Sequence, residues 1–247
     1  MTVIFGTHKL SLDVIAYALE VGLTTLDTAT AYKNADVIGD AVAMMGKQVN
    51  FVTKFNSKDF EDGIDEVAMK HKGRIGSDPE IVLLHSPMGN NLAAFLDLKR
   101  LFPKSSIGVS NFDIAQIQHL MDNQCKPSVI SLEFHPYYQP RKLIEFCSKN
   151  KIRMLGYRTF AKGSVLQDDV ILKLALKYNC SAADVVLTWS LAYGITPTVS
   201  SSKIENIKAL SKFTCCLLSE EDLLAINELN KAASGSSNMI KYCSHDN

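Results

Sequence analysis

Apolar runs of four or five residues recur along the chain, and after each one apolar residues return at helical spacing. The first run is Val3-Ile4-Phe5-Gly6. Behind it Leu12, Ile15 and Leu19 share one face of a predicted helix from Ser11 to about Val21, with Gly22 at the C-cap position. Leu23 to Leu26 is the second run, ending at Asp27, and Ala35 to Met45 is the helical stretch after it. Val49 to Lys54 is the third run. It leads into a charged amphipathic helix over Lys58 to Lys72 that carries Ile64, Val67 and Met69. Glu80 to Leu84, Ser106 to Val109, Val129 to Leu132, Ile152 to Leu155 and Ile195 to Val199 continue the series. Between them lie helical patterns over Asn91 to Phe102, behind the Asp113-Ile-Ala-Gln116 capping box, and over Lys142 to Asn150, Val170 to Tyr178 and Ser181 to Tyr193. Ile204 to Leu210 and a helix opening at Ser219-Glu-Glu-Asp222 follow the last run.

Runs this short and this apolar suit strands covered on both faces, as in a parallel sheet wrapped by helices. Eight such units in 247 residues predict an α/β fold of the (β/α)8 TIM-barrel class, built as a single domain over 1–247. An open doubly wound sheet is the competing architecture. It calls for a glycine-rich phosphate loop after the first strand, and Gly6-Thr7-His8 is not one. Proline and glycine are nowhere dense enough to mark a linker. Ala233 to Asn238 has no period, so a mobile C-terminal tail from about 232 is expected.

Charge narrows the partners. Lys plus Arg and Asp plus Glu number 26 each, so neither nucleic acid nor a membrane surface is an expected partner. No apolar run approaches the roughly 18 residues that span a bilayer, and the N-terminus lacks a signal-peptide pattern. The six cysteines are scattered without a CxxC pair, which offers no metal or redox motif and suits a reduced, cytoplasmic protein. Asn179-Cys180-Ser181 matches a glycosylation pattern that has no meaning in that setting.

In a barrel the loops after the strands gather on one face. Asp27, Lys54 and His85 close the second, third and fourth runs, which makes them neighbours there, and Tyr32 follows Asp27 closely enough to reach them. Each residue alone has an ordinary explanation: a helix cap, a solvated lysine, a core histidine. Together they form a proton-transfer set. A phenol is protonated at neutral pH. A lysine cation beside it is expected to lower its pKa, with Asp27 holding the lysine. His85 can bond a substrate oxygen or relay a proton. Such a set suits proton delivery to a carbonyl oxygen as charge develops on it. A reduction would take its hydride from a cofactor.

The motifs Asp27-Thr-Ala-Thr-Ala-Tyr32 with Asn34 and Ile38-Gly39, Val52-Thr-Lys54, Leu84-His85-Ser86-Pro87, Ile107-Gly-Val-Ser-Asn-Phe112 and Glu133-Phe-His-Pro-Tyr137 carry a resemblance. With Tyr157, Trp189 and Leu218-Ser-Glu-Glu-Asp222, they make the chain similar to the aldo-keto reductases, (β/α)8 carbonyl reductases dependent on NAD(P)H. The resemblance covers nearly the whole chain. It implies that Tyr32 is the general acid, that Lys54 and Asp27 tune it, and that His85 orients the carbonyl. It implies that Ser110 and Asn111 hold the nicotinamide amide and that Tyr157 stacks on its ring. The cofactor expected from the family is NADP(H), the substrate a small aldehyde or ketone, and the protein a monomer.

The chain departs from the family pattern on the cofactor side. Ser131 stands where a glutamine is usual. Ser200-Ser201 replaces a Lys-Ser pair, and Asn206 replaces an arginine that takes the adenosine 2′-phosphate, leaving Lys203 as the nearby cation. NAD(H) therefore stays open as the cofactor. Arg158 follows Tyr157 where a serine is usual, and it can serve the cofactor pyrophosphate or an anionic substrate, or simply face water. The usual N-terminal hairpin under the barrel has no counterpart, and the loops after His85 and Tyr157 read as brief, which predicts an open substrate site. Three alternatives remain: a reductase-fold binding or regulatory protein with weak or no turnover, a Schiff-base aldolase using Lys54, and a serine hydrolase. The last is disfavoured because Gly108-Val-Ser110-Asn-Phe112 lacks the second glycine of a nucleophile elbow.

Overall fold

Strand pairing follows chain order without exception. In the computed structural model, which describes residues 3–231, each strand pairs in parallel with the next, and the eighth returns to the first to close the barrel. The strands are β1 (Ile4–Gly6), β2 (Thr25–Asp27), β3 (Asn50–Phe55), β4 (Ile81–Leu84), β5 (Ser106–Ser110), β6 (Val129–Glu133), β7 (Arg153–Tyr157) and β8 (Ile195–Val199). The helices between and after them are α1 (Leu12–Glu20), α2 (Ala35–Met45), α3 (Ser57–Glu61), α4 (Ile64–Ile75), α5 (Asn91–Leu101), α6 (Ile114–Asp122) and α7 (Arg141–Lys149). Then come α8 (Asp169–Tyr178), α9 (Ala182–Ala192), α10 (Ile204–Ser211) and α11 (Glu220–Asn227). The closed eight-stranded barrel agrees with the spacing of the apolar runs. The mobile tail expected from about 232 lies outside the described residues.

Strand alternation divides the core into two shells. Ile4, Val52, Ile81, Leu83, Val129 and Leu155 pack on one another as a cluster of their own and fill the barrel. Their neighbours Phe51, Val82, Leu84, Val109 and Ile130 face outward and meet the helices. Gly108 belongs to the inner shell: a Cβ there would stand 2.1 Å from the Val129 carbonyl oxygen and 2.8 Å from Leu83 Cδ2. The same alternation puts Lys54 on the inner face, two residues above Val52, at the rim where the filled interior ends.

Several boundaries differ from the apolar pattern, for local reasons. The stretch over Lys58 to Lys72 is two helices, not one. Asn56 caps α3 by accepting from the Lys58 N–H at 2.9 Å, and Gly63 breaks the path with φ +96° before α4 starts. The strand ends reach further than the apolar runs suggest, because their last residues are polar and buried: Asp27, Ser110 and Glu133 all lie inside strands. The segment after Tyr157 is not brief. Residues 158–168 fold into short helical turns over Ala161–Gln167, and Arg158, Ala161, Lys162 and Gly163 all take positive φ. The capping box at α6 forms as expected, with Asp113 Oδ1 accepting from the Gln116 N–H at 2.8 Å and Gln116 Oε1 accepting from the Asp113 N–H at 3.1 Å.

Gly39 explains why α2 and α4 cross so closely. A Cβ at this mid-helix position would lie 2.0 Å from the Arg74 carbonyl oxygen, beside the Arg74–Asp36 ion pair at 3.0 Å. Ala in place of Gly in an open helix position stabilises by about 1 kcal/mol. Here Gly39→Ala is expected to destabilise the protein by about 2 kcal/mol, as an overpacked core site does. Urea unfolding of the variant measures the sign, and a rise in stability would refute the close crossing.

Candidate active site

The rim of the barrel brings four polar groups together. Asp27 ends β2 opposite Val52, and Lys54, two residues further on and penultimate in β3, shares the inward face of Val52, so its side chain comes within reach of Asp27. Lys54 Nζ donates to both carboxylate oxygens of Asp27 at 2.6 Å, and it lies 3.1 Å from the Thr28 carbonyl and 3.4 Å from the Tyr32 hydroxyl. Both side chains of the ion pair are buried. Burial works against the lysine charge, but the facing Asp27 carboxylate more than offsets it. The Lys54 pKa stands above its ordinary value, and the group is a cation at neutral pH. This arrangement does not favour a Schiff-base nucleophile at Lys54, which needs the neutral amine.

Tyr32 sits on a single 3₁₀ turn, Thr30–Tyr32, that Thr30 pins down by donating its hydroxyl to Asp59 Oδ2 at 2.5 Å. The phenol pKa is raised, not lowered. Burial is the largest cause; the Lys54 charge pulls the other way, and the Asp27 charge adds to the rise. The expected lowering by Lys54 is thus present but outweighed, because the pattern of residue types carries no information about desolvation. The result is a firmly protonated acid beside a fixed cation.

His85 follows β4 directly, its N–H bonded to the Phe55 carbonyl at 2.7 Å and its ring edge-on to Tyr32 with centroids 6.1 Å apart. Burial, then the Lys54 charge, then His8, push its pKa down to about 3. The imidazole is neutral at working pH. It can bond a substrate oxygen, and it holds no extra proton of its own.

Of the remaining site residues expected from sequence, all but Ser201 and Lys203 line the same cleft, a cavity of about 690 Å³ that runs from Tyr32 to Ser200 and Asn206. Ser110 ends β5, and Asn111 follows in a left-handed conformation at φ +64°. Asn111 Nδ2 donates to the His85 carbonyl at 2.9 Å and to Ser110 Oγ at 3.1 Å, while its Oδ1 accepts from the Tyr157 hydroxyl. Ser131 faces the cleft from β6 and is buried. Arg158 is not a solvated loop arginine: it reaches the buried carboxylate of Glu133, with Nη1 at 3.2 and 3.4 Å from its oxygens, and Glu133 also meets His135 Nε2 at 3.1 Å. Ser201 and Lys203 stand apart from the cleft lining. They open α10, where Ser201 Oγ accepts from the Lys203 N–H at 3.1 Å and from Asn206 Nδ2 at 3.2 Å.

Several cleft residues escape a reading of sequence alone. His8, Thr159 and Lys162 line it, the last two from the wall built by residues 158–168. The available signal for His8 was its place just beyond a strand end; Lys162 had none. The donor set suits a nicotinamide dinucleotide at one end: hydroxyls and an amide for a carboxamide, the Tyr157 ring for a flat heterocycle, and Arg158 and Lys162 for a pyrophosphate. At the other end Ser200 and Asn206 are neutral, so that end supplies hydrogen bonds without a guanidinium for a 2′-phosphate.

The model of the Aldo/keto reductase family matches residues 7–231. Methylglyoxal reductase DkgB of Escherichia coli O157:H7 is 29% identical over 243 residues, covering 91% of this chain and 91% of its own length. Glyoxal reductase of Bacillus subtilis strain 168 is 27% identical over 236 residues, covering 89% and 83%. Among solved structures, MGS-M4, an aldo-keto reductase enzyme from a Medee basin deep-sea metagenome library, superposes with a TM-score of 0.89 at 23% identity, covering 97% of this chain and 94% of that one, which speaks to the fold.

The ion pair gives a stability test. Asp27→Asn leaves a buried ammonium with no counter-charge and is expected to cost about 3–5 kcal/mol in urea unfolding at neutral pH. Adding Lys54→Met to Asp27→Leu removes both charges and is expected to recover most of that loss. The folded Lys54 pKa lies above its unfolded value, so its contribution is whole at neutral pH and fades only above the ordinary lysine range. A single variant as stable as the parent would show that the pair does not meet.

Proposed function

The chain belongs to the aldo/keto reductase family, and from that premise we propose that it reduces an aldehyde or ketone to the alcohol, with Tyr32 giving the proton. The observation that carries this reading is Lys54 Nζ held 2.6 Å from both Asp27 oxygens and 3.4 Å from the Tyr32 hydroxyl, in a cleft shared with His85. A reduced nicotinamide dinucleotide, bound along the cleft, supplies the hydride to the carbonyl carbon. Charge then develops on the carbonyl oxygen. Tyr32 donates its proton there, and the phenolate left behind faces the Lys54 cation in a site where burial strengthens their attraction. Neutral His85 hydrogen-bonds the same oxygen and fixes the carbonyl plane. Asp27 keeps Lys54 charged and aimed, so the cation stands ready when the phenolate forms.

On the cofactor side, Ser110, Asn111 and Ser131 would hold the carboxamide, Tyr157 would pack on the ring, and Arg158 with Lys162 would take the pyrophosphate. Ser200 and Asn206, with Ser201 and Lys203 beside the cleft, would serve the adenosine end. NADP(H) is the family's cofactor, and the neutral Ser200 and Asn206 let NAD(H) compete. The names of the relatives, methylglyoxal reductase and glyoxal reductase, support a small reactive aldehyde as substrate. No described helix is long and apolar enough to cross a membrane. A binding or regulatory role is motivated by Ser131 and Asn206. Against it stands the Asp27–Lys54–Tyr32 arrangement, which costs desolvation and has no use in a protein that only binds.

Tyr32→Phe is expected to lower kcat/KM for 4-nitrobenzaldehyde by about 10²–10⁴-fold while cofactor affinity, read by nicotinamide fluorescence, stays the same. An unchanged reduction rate would remove Tyr32 from the mechanism. Titration of the unsubstituted protein is expected to give Kd values for NADPH and NADH within about tenfold, a difference of about 1.4 kcal/mol. Absence of binding by both would favour the regulatory reading.

A further inference from the structure

Cys180 and Cys216 are far apart in the chain and meet in the fold. Cys180 occupies the junction of α8 and α9, and its backbone is fixed from both sides. Asn179 closes α8 in a left-handed conformation at φ +49°, the Cys180 N–H bonds back to the Ala175 carbonyl at 3.0 Å, and Ser181 opens α9 as its N-cap. Cys216 lies in the stretch 213–219, which joins α10 to α11 without regular secondary structure. That stretch runs beside the start of α9. The Cys216 N–H donates to Thr188 Oγ1 at 3.2 Å, and Cys216 Sγ lies 3.4 Å from the same oxygen and 4.0 Å from the Asp184 carbonyl. Asp184 and Thr188 share one face of α9, and Cys180 stands one turn before them. The Cys180 and Cys216 thiols are within hydrogen-bonding reach of each other. Both pack on the same apolar core and stay partly open to solvent.

Core packing accounts for Cys125 and Cys147, which are buried. It does not account for two partly open thiols that face each other, one on a rigid helix junction and one on a segment outside any helix or strand. The two sulfurs also differ. Burial, and then the neighbouring Cys216, push the Cys180 thiol up to about 12, so Cys180 keeps its proton. The thiolate is the reactive form of cysteine, which makes Cys216 the sulfur that attacks and Cys180 the one that resolves.

We propose that Cys180 and Cys216 are a modification site, a dithiol that a peroxide converts to a reversible disulfide. The Cys216 sulfur attacks one peroxide oxygen: an S–O bond forms, the O–O bond breaks, and water leaves. The Cys180 sulfur then attacks the sulfur of that sulfenic acid: the S–S bond forms, the S–O bond breaks, and a second water leaves. The two thiols give up two electrons and two protons, and hydrogen peroxide is reduced to two waters. The bond closes the loop from 180 to 216, which contains α9, β8 and α10. It removes freedom from the unfolded chain and so stabilises the folded one. It also stops Cys216 short of the irreversible sulfinic acid. Neither sulfur lines the cleft, so the dithiol is separate from the proton-transfer site and stands whether or not the chain is a reductase.

The test treats the reduced full-length protein with hydrogen peroxide, caps free thiols with N-ethylmaleimide, and maps peptides by mass spectrometry before and after dithiothreitol. A peptide pair joined through Cys180 and Cys216 is expected with peroxide and is expected to vanish with dithiothreitol. The oxidised protein is expected to unfold about 10 °C above the reduced one, the shift that one disulfide brings to a domain of this size. Cys180→Ala and Cys216→Ala are each expected to abolish the joined peptides and the shift, and Cys215→Ala to keep both. Three results would overturn the proposal: Cys216 recovered as sulfinic acid with Cys180 free, Cys216 joined to Cys215 or Cys243, or an oxidised protein no more stable than the reduced one. The peptide map of the unsubstituted protein decides the pairing even where an alanine variant fails to fold.

Discussion

Everything at the open end of the barrel is referred to one buried ion pair. Moving an ammonium and a carboxylate out of water costs several kcal/mol per ion, and only close geometry with further hydrogen bonds offsets it. Lys54 and Asp27 meet those terms: both oxygens are engaged at 2.6 Å, with the Thr28 carbonyl and the Tyr32 hydroxyl around the same ammonium. The pairing needs no flexible search, because β2 and β3 are hydrogen-bonded neighbours and both residues sit near their ends. A filled barrel interior directly below supplies the dry environment. The environment that penalises the pair also raises the Tyr32 pKa, so the phenol is held protonated beside the cation.

The barrel was legible in the chain because parallel strands covered on both faces leave apolar runs, and the spacing between them sets the count of β/α units. The polar rim of the candidate site was legible for a related reason: Asp27, Lys54 and His85 each interrupt such a run at its end. What stayed hidden depends on contacts between distant segments. His8 acquires a neighbour in Tyr32 only once the loop after β1 is bonded to the Asp27 carbonyl. Arg158 acquires one in Glu133 only through the pairing of β6 with β7, which sets Glu133 opposite Tyr157. Residues 158–168 read as a short loop because their apolar residues, Phe160, Val165 and Leu166, follow no regular period, and the backbone turns by positive φ instead. The direction of the Tyr32 shift was missed for a different reason. Residue types show which charges are near, but how much water is removed is a property of the packed structure.

The cleft divides into a half that is rigid and a half that is negotiable. On the proton side the functional groups sit at strand ends or one turn beyond, and hydrogen bonds to buried backbone hold each in place. On the cofactor side one guanidinium is shared. Arg158 already satisfies the buried Glu133 carboxylate, so any anion that arrives above it adds a second claim on the same charge. Glu133 keeps His135 as a further partner, which lets Arg158 turn partly toward a ligand without stranding the carboxylate. Lys162 lines the cleft from the same wall as Arg158 and is exposed. The fixed geometry lies on the side of the phenol, where Lys54, His8 and His85 stand around Tyr32.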